Sequence, residues 1–286
     1  MFNKIWIIVI LLLSLPCRSY AQEPFSIFSR TGEKVQLKQV IEASQGMSHI
    51  FFGELHNNAV AHWLQLELTK ALFERDSLRL VIGAEMFEAD NQLLIDEYLS
   101  GLITQKSFEQ EARLWKNYKT DYKPILEFAK KQRIRFVATN VPRRYANAIF
   151  HGGLDVLNKL GPEAAQFLPP QPLAIDTTQS SYRELSKISG SHQGNYMLEA
   201  QALKDATMAH FIARNSTNGS VFLHLNGSYH SDRYEGIVNY LKRVVPVKKM
   251  LVITTVTQSE TDRLDKKNRS LADYIICVDE DFTLTH

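Results

Sequence analysis

Short runs of apolar residues recur along the chain and alternate with longer segments of helical periodicity. The apolar runs lie at residues 48–53, 79–84, 134–139, 220–225, 249–256 and 273–278. Their richness in Val, Ile and Phe is typical of strands covered on both faces. Two intervening segments, His62–Phe73 and Asp121–Lys131, have the spacing of amphipathic helices, with Trp63 and Leu68 among the inward positions of the first. The pattern therefore predicts an α/β fold with a mostly parallel central sheet flanked by helices.

Two intervals between the predicted strands are too long to be simple crossovers. Residues 86–120 and 145–215 both carry helical patterns, and the second is interrupted by Pro169-Pro170-Gln171-Pro172. We expect these helical insertions to form a lid or small subdomain at the carboxyl edge of the sheet. Neither an internal repeat nor an interdomain linker is evident in the sequence, so residues 22–286 are predicted to form a single α/β domain.

The first 21 residues have the pattern of a signal peptide. A basic residue, Lys4, precedes the apolar stretch Ile5–Leu15, and Ser19-Tyr20-Ala21 provides a cleavage site. The stretch is shorter than the about 20 apolar residues of a membrane span, so export with cleavage is favoured over a retained anchor. Cys17 has the position of a lipid-attachment cysteine, but Pro16 before it is a poor match. We expect an exported protein, periplasmic or anchored at the outer membrane, with lipidation not favoured.

Charge and cysteine content narrow the function only slightly. The chain has 33 basic and 31 acidic residues, and removing residues 1–21 takes away Lys4 and Arg18 and no acid. The remaining charges balance, whereas a nucleic-acid binder usually has a marked basic excess. Cys277 lies in an apolar run and is expected to be a buried thiol.

Acidic and imidazole side chains follow three of the predicted strands. Glu54 and His56 follow the first, Glu85 ends the second, and His230 follows the fourth in a glycine-containing turn. The carboxyl ends of parallel strands meet at one edge of a sheet, where ligands bind in open α/β folds. Glu and His together suit a metal site or an acid–base pair, although a strand-end Glu can also simply accept backbone N–H bonds. The chain lacks GxGxxG, GxxxxGK[ST], HExxH and GxSxG motifs, so nucleotide binding and the common serine and zinc protease mechanisms have no sequence support.

An ordered series of motifs between about residues 45 and 256 resembles a known family. The motifs are Gly53–Asn58, Gly83–Phe87, Trp115 with Tyr122–Pro124, Thr139–Arg143, Leu203–Ala209 and Gly227–His230. Together they resemble the ChaN-like haem-binding uptake lipoproteins of bacteria. The wider superfamily contains Tiki-type metalloproteases and erythromycin-esterase-like hydrolases.

The resemblance implies an exported haem-binding protein of bacterial iron uptake. Members of the family bind two haems face to face at a dimer interface, where a tyrosine ligates each iron and a histidine of the partner contacts the propionates. Haem as cofactor, a homodimer and an outer-membrane haem receptor as partner are therefore expected.

Two tyrosines are candidates for the iron ligand. Tyrosinate is a known axial ligand of haem. Tyr145 ranks first because it follows Arg143 and Arg144, whose guanidinium groups suit propionates, and Tyr229 ranks second because it adjoins His230. In this interpretation Glu54, His56, Glu85 and His230 shape the same pocket, orient its loops or contact the propionates.

The resemblance also keeps a second chemistry open. In a metal-dependent hydrolase, His56 and His230 would bind a divalent ion such as zinc or manganese, Glu54 would act as general base, and Glu85 would be a ligand or an orienting group. A third possibility is a binding protein for another planar or peptide ligand.

Overall fold

A mostly parallel sheet forms the centre of the molecule. The computed structural model describes residues 23–189, 196–246 and 249–286, so the predicted signal peptide and Cys17 lie outside the described residues. The strands are β1 (Phe25–Ser29), β2 (Lys34–Val35), β3 (His49–Glu54), β4 (Leu80–Glu88), β5 (Arg135–Asn140), β6 (Val221–Gly227), β7 (Met250–Gln258) and β8 (Tyr274–Asp279). Their order is β2-β1-β8-β7-β3-β6-β4-β5. Strands β3 to β8 pair in parallel, whereas β1 pairs antiparallel with β8 and with β2.

This architecture confirms the predicted fold class. Each of the six predicted apolar runs forms a parallel strand, and β3, β4 and β6 are buried along their whole length. The sequence pattern missed β1 and β2, which are short and lie at one edge of the sheet. Cys277 is a buried free thiol, as expected from its apolar surroundings.

Helices cover both faces of the sheet. They are α1 (Leu37–Ala43), α2 (Ala59–Asp76), α3 (Gln92–Leu99), α4 (Gln105–Glu111), α5 (Lys123–Gln132), α6 (Arg143–Gly152), α7 (Pro162–Ala165), α8 (Ser180–Ser189), α9 (Met197–Asn215) and α10 (Ile237–Leu241). On one face α2 buries Leu64, Leu68 and Leu72 against the sheet. On the other, α9 and α10 pack on a second cluster that includes Met208 and Ile237.

Two details of the helices differ from the sequence pattern. Trp63, for which the spacing predicts an inward position, is 51% exposed, because the buried stripe of α2 runs through Leu64 and Leu68 at every fourth residue. The helix predicted from Asp121 begins at Lys123 as α5, after a π-helical turn over Tyr118–Tyr122. None of the helices within the described ranges is long and apolar enough to span a membrane.

Candidate functional site

The acidic and imidazole side chains predicted from the sequence meet at the carboxyl ends of three adjacent strands. Strand β6 lies between β3 and β4, and the parallel register aligns Glu54 with Gly227. The ends of these three strands therefore bring Glu54, His56, Glu85 and His230 together around Gly227. Of these four residues, His56, Glu85 and His230 line one cavity, whereas Glu54 is buried behind His56 and does not line it.

Glu54 is a buried carboxylate that holds the ring of His56. The Nδ1 atom of His56 lies 2.9 Å from Oε1 of Glu54, so the ring donates its Nδ1–H to the carboxylate. Glu54 is fixed in turn by the hydroxyl of Tyr122 at 2.7 Å and by Nε2 of Gln65 at 2.6 Å. Each oxygen of this carboxylate thus accepts at least one hydrogen bond, which offsets the free energy of burying it.

The ring of His56 is held from two further sides but is not enclosed. Its side chain is 39% exposed. Trp115 packs edge-to-face against it, with the ring centroids 4.8 Å apart. A Cβ at Gly227 would lie 2.9 Å from both Cε1 and Nε2 of His56, so only glycine leaves room for the ring there. Burial acts to lower the pKa of His56, but the hydrogen bond to Glu54 and the charges of Glu85 and Glu54 outweigh it and raise the pKa.

His230 is a buried imidazole between two carboxylates. Its Nε2 lies 3.1 Å from Oε1 of Glu85, and its Nδ1 lies 2.5 Å from Oδ1 of Asp205. The hydroxyl of Tyr182 donates to the other oxygen of Asp205 at 2.7 Å, and the backbone N–H of Gly227 donates to Glu85 at 2.7 Å. Burial alone would lower the pKa of His230, but the charges of Glu85 and Asp205 raise it to about 10. At neutral pH the ring is an imidazolium that donates from both nitrogens.

A cavity of about 1040 Å³ opens over this carboxyl edge. We call it the edge cavity, and its lining residues are His56, Glu85, Glu88, Leu114, Trp115, Lys116, Asn117, Asn140, Val141, Arg143, Arg144, Ala146, Asn147, Phe150, Ala200, Lys204, His230 and His286. Leu114 and Trp115 come from the first predicted insertion and Phe150, Ala200 and Lys204 from the second. Both helical insertions therefore contribute residues to the walls of the cavity.

The rim of the edge cavity carries a network of arginines and carboxylates. Glu88 accepts from Arg143 and, at 3.1 Å, from Arg113. Asp90 accepts from Arg144 and from Arg113. Three guanidinium groups face two carboxylates, so the network keeps a net positive charge. The side chains of Arg143 and Arg144 remain 57% and 48% exposed and can bind a further anion.

The two candidate tyrosines lie beside the edge cavity and are not among its lining residues. Tyr145 packs against the cluster that contains Ile149 and Leu203, with the guanidinium of Arg144 4.5 Å from its ring centroid. Tyr229 is 38% exposed, and its hydroxyl donates to the carbonyl of Ser181 at 2.6 Å. Burial, with the charges of nearby acids, raises the pKa of Tyr229 to about 12.

Sequence reasoning missed some residues of the site. Asp205 was not a candidate, although it lies within the motif Leu203–Ala209, and Lys204 beside it lines the edge cavity. The sequence signal that could have found Lys204 was the position of this motif on α9. Ala200 and Lys204 lie four residues apart there and therefore share a helix face. Within the described ranges, no three or more His, Cys, Asp or Glu side chains are placed so as to hold a metal ion.

One family model and several solved structures are similar to the chain. A family model described as "Haem-binding uptake, Tiki superfamily, ChaN" matches residues 40–241. No curated protein sequence matches the chain. Among solved structures, the ChaN protein of Campylobacter jejuni, described with cofacial haem binding, is 19% identical with a TM-score of 0.61, over 88% of this chain and 96% of that one. The type III effector HopBA1 is 13% identical with a TM-score of 0.50, over 86% of this chain and 94% of that one. At these identities the solved structures establish the fold alone.

Proposed function

The chain belongs to the ChaN family of haem-binding uptake proteins in the Tiki superfamily, and from that premise we propose that it binds haem in the edge cavity. The observation that carries the proposal is the combination of apolar walls and a cationic rim in one volume of about 1040 Å³. A porphyrin has two apolar faces and two propionate carboxylates, so it requires a broad apolar cleft with cations at its edge. When bound, haem supplies an iron that four porphyrin nitrogens already hold.

The residues of the edge cavity fit this group. Trp115 and Phe150 offer apolar surface to the porphyrin faces, and Arg143 and Arg144 offer guanidinium groups to the propionates. Among the described residues, the buried Oδ1 atom of Asn140 at the cavity wall has no hydrogen-bond partner, which is typical of a polar atom that meets a ligand. The chemistry of the cavity is therefore that of a pocket for an amphipathic, anionic, planar molecule.

We further propose that a tyrosine of one copy ligates the haem iron across the interface of a homodimer. The resemblance implies a tyrosine as iron ligand, the candidates from their sequence settings are Tyr145 and Tyr229, and neither lines the edge cavity of its own chain. Tyr229 is 38% exposed and therefore accessible to a haem held by a second copy in a homodimer. Replacing either tyrosine by Phe is expected to shift the Soret band of the haem complex only for the residue that ligates iron.

Haem capture of this kind is proposed to take place outside the cytoplasm. The segment 1–21 has the features of a signal peptide, and the charge balance of residues 22–286 offers no sign of nucleic-acid binding. We therefore place the single domain of residues 22–286 in the periplasm or at the outer membrane, where a haem receptor of that membrane would be its partner in iron uptake.

The metal-dependent hydrolase is less well supported. That mechanism needs His56 and His230 as neutral ligands of one divalent ion. Both nitrogens of His230 instead face carboxylates, Asp205 at 2.5 Å and Glu85 at 3.1 Å, and so have no lone pair to offer a metal. The buried position of Glu54, which accepts from Tyr122 and Gln65, is that of an orienting group and not of a base that contacts water.

A haemin titration of the chain beginning at Gln22 tests the proposal. We expect a saturable change in the Soret region at micromolar haemin, together with no tightly held divalent metal in the untreated protein. The absence of a specific haem spectrum, with near-stoichiometric zinc or manganese, would overturn haem binding and favour the hydrolase.

A matched pair of arginine variants tests the position of the haem. Arg144→Gln should weaken haemin binding about tenfold or more, because a charge-assisted hydrogen bond contributes about 1.5–3 kcal/mol. Arg263→Gln, whose side chain is 76% exposed and pairs with Glu260, should bind haemin like the unaltered chain. Equal losses in both variants would show that the effect is one of overall charge and not of the edge cavity.

A further inference from the structure

We propose that Arg113 is a positioning residue that gives Arg143 and Arg144 the orientation and the net charge to bind the propionates of haem. This inference rests on the proposed haem-binding function and deepens it, because it names a side chain that acts through the arginine pair and does not line the edge cavity itself. Arg113 lies in the first helical insertion, after α4, and directly precedes two residues of the cavity wall, Leu114 and Trp115.

Five side chains at the rim of the cavity alternate in charge, with Arg113 at the centre. Its Nε donates to Oε2 of Glu88 at 3.1 Å, and its Nη2 donates to Oδ1 of Asp90. The second oxygen of Glu88, Oε1, accepts from Nε of Arg143. The second oxygen of Asp90, Oδ2, accepts from Nη1 of Arg144. One guanidinium thus joins both carboxylates, and each carboxylate holds one arginine of the pair; we call these five residues the rim network.

Burial makes the carboxylates of the rim network depend on Arg113. The side chains of Glu88 and Asp90 are only 4% and 10% exposed. A buried carboxylate needs a cation to offset the loss of its hydration. Arg113 supplies one such contact to each of them, so that the arginine pair does not compensate both carboxylates alone. Three guanidinium groups and two carboxylates leave one positive charge, and removing Arg113 would leave none.

The arginine pair lies at a position that is otherwise unfavourable for cations. Arg143 and Arg144 are the first two residues of α6, whose N-cap residue is Pro142. The N-terminus of a helix carries partial positive charge and unpaired backbone N–H groups, so it repels guanidinium groups and attracts anions. Glu88 and Asp90 offset this repulsion and orient the pair. Because Arg113 contacts both carboxylates, it fixes the groups that fix the pair.

The rim network leaves N–H donors of the pair available to a ligand. A guanidinium has five such donors. Arg143 uses Nε on Glu88, whereas Arg144 uses Nη1 on Asp90 and Nη2 on the hydroxyl of Tyr145 at 3.3 Å. Among the described residues, neither guanidinium has a further carboxylate within ion-pair distance. Both residues line the edge cavity, so their remaining N–H groups can donate to propionate oxygens there.

A purely structural role for Arg113 predicts a different result from a positioning role. If Arg113 only held the first insertion in place, its loss would displace Leu114 and Trp115 and weaken the binding of every porphyrin. A positioning role acts on the propionates alone. The dimethyl ester of haemin separates the two roles, because it keeps the porphyrin and the iron but lacks the free carboxylates.

Titrations of haemin and of its dimethyl ester, both delivered from the same detergent to the chain beginning at Gln22, test the proposal. Arg113→Gln should weaken haemin binding about tenfold, because Glu88 and Asp90 would then neutralise the arginine pair. The same variant should bind the ester like the unaltered chain. Arg113→Lys keeps the charge but not the planar fork that contacts both carboxylates, so part of the loss should remain.

Arg79→Gln is the matched control. Arg79 precedes the first residue of β4, at the opposite end of this strand from Glu88, and pairs with Asp76. The substitution removes the same charge without touching the rim network and should leave both titrations unchanged. Melting temperatures of all variants, measured without haemin, establish that they are folded.

Three results would overturn the inference while leaving haem binding intact. They are unchanged haemin affinity in Arg113→Gln, equal weakening of haemin and ester binding in that variant, and full haemin affinity in Arg113→Lys. Weakening in Arg79→Gln equal to that in Arg113→Gln would likewise overturn it, since overall charge would then explain the effect. Failure of the unaltered chain to bind haemin would instead overturn the proposed function, so the two failures are distinguishable.

Discussion

At the scale of single residues, His230 is the cation that compensates two buried carboxylates of the site. It lies in a buried position between Glu85 and Asp205, and each carboxylate depends on the imidazolium for compensation. The charge of His230, with the Gly227 N–H, holds the pKa of Glu85 well below its usual range although burial acts in the opposite direction. Removing one partner of a buried ion pair costs much more free energy of unfolding than the intact pair contributes relative to an apolar replacement.

His230→Gln should therefore destabilise the protein strongly. The substitution leaves two buried carboxylates without a cation, which typically costs about 3–5 kcal/mol of unfolding free energy. Urea unfolding at pH 7 measures the loss. The double variant His230→Gln with Glu85→Gln should recover part of it, since one of the uncompensated charges is removed. A double variant less stable than His230→Gln would contradict the assignment of the loss to charge.

Asp232 should make stability depend on pH. Burial raises its pKa to about 7, although a hydrogen bond from Thr254 opposes the shift. The unfolded chain has an ordinary value of about 3.9, so the folded protein binds the extra proton between about pH 4 and pH 7, and stability falls as the pH rises through this range. Asp232→Asn removes this loss of stability and should raise the melting temperature more at pH 8 than at pH 4.5. Each kcal/mol of added stability corresponds to a rise of about 2–4 °C.

The control for this pH profile is Asp155→Asn, a substitution at an exposed carboxyl outside the core. Its melting temperature should follow the unaltered chain at both pH values. If Asp232→Asn shows the same stabilisation at pH 4.5 as at pH 8, the gain has a cause other than the buried carboxyl.

At the residue scale, the sequence predicted those side chains whose position follows from strand ends. Glu54, Glu85 and His230 follow apolar runs, so parallel pairing was enough to place them together. Asp205 could not be found in the same way, because it lies within α9 and reaches His230 only through the packing of that helix on the sheet. The hydrogen-bond partners that fix the tautomer of His56 likewise depend on side-chain positions that no spacing encodes.

At the scale of elements, the ends of β3 and β6 approach so closely that the site needs glycine. Gly53 faces the turn after β6, and a Cβ at this position would lie 2.8 Å from the Cα of Ser228. The neighbouring atom belongs to the backbone, which cannot move aside as the end of a flexible side chain can. The absence of a side chain at Gly53 therefore lets the turn that contains Tyr229 and His230 pack against the end of β3.

Gly53→Ala should separate the two strand ends and destabilise the protein. Overpacking of a rigid buried position typically costs about 1–3 kcal/mol, and the displaced turn should also weaken haemin binding. Gly161→Ala provides the matched control, since its Cβ would meet only the side-chain carboxylate of Glu163, at 3.1 Å. Thermal unfolding and haemin titration of both variants test the prediction. Equal stability of the two would show that the turn adapts to the methyl group.

The elements that could be predicted are those whose burial dominates their sequence. Strands covered on both faces give uninterrupted apolar runs, so β3 to β8 were evident. Strand β1 is short and interrupted by Ser26 and Ser29, and β2 has only two residues, so neither has that pattern. The start of α5 follows from Pro124, which suits the first turn of a helix, whereas the preceding π-helical turn has no comparable signal.

At the scale of the whole molecule, the sheet has one antiparallel edge that protects its apolar interior. Strand β1 pairs along the whole of β8, and its residues Ile27 and Phe28 are 4% and 1% exposed. The inner residues of β8, Ile275 to Val278, are fully buried behind it. An uncovered strand of this composition is a template for pairing between molecules.

The point at which the chain begins should therefore decide whether it folds as a monodisperse protein. A chain that begins at Gln22 retains β1 at Phe25–Ser29 and should unfold cooperatively. A chain that begins at Gln36 lacks β1 and β2, loses the burial of Ile27 and Phe28 at about 1.5–3 kcal/mol each, and exposes the hydrogen-bonding edge of β8. We expect it to unfold at lower temperature and to aggregate in size-exclusion chromatography. The proposed cleavage after Ala21 would leave every residue of β1 in place. If the shorter chain were as stable and monodisperse as the longer one, the antiparallel edge would have no protective role, and the sheet would be self-sufficient from β3 to β8.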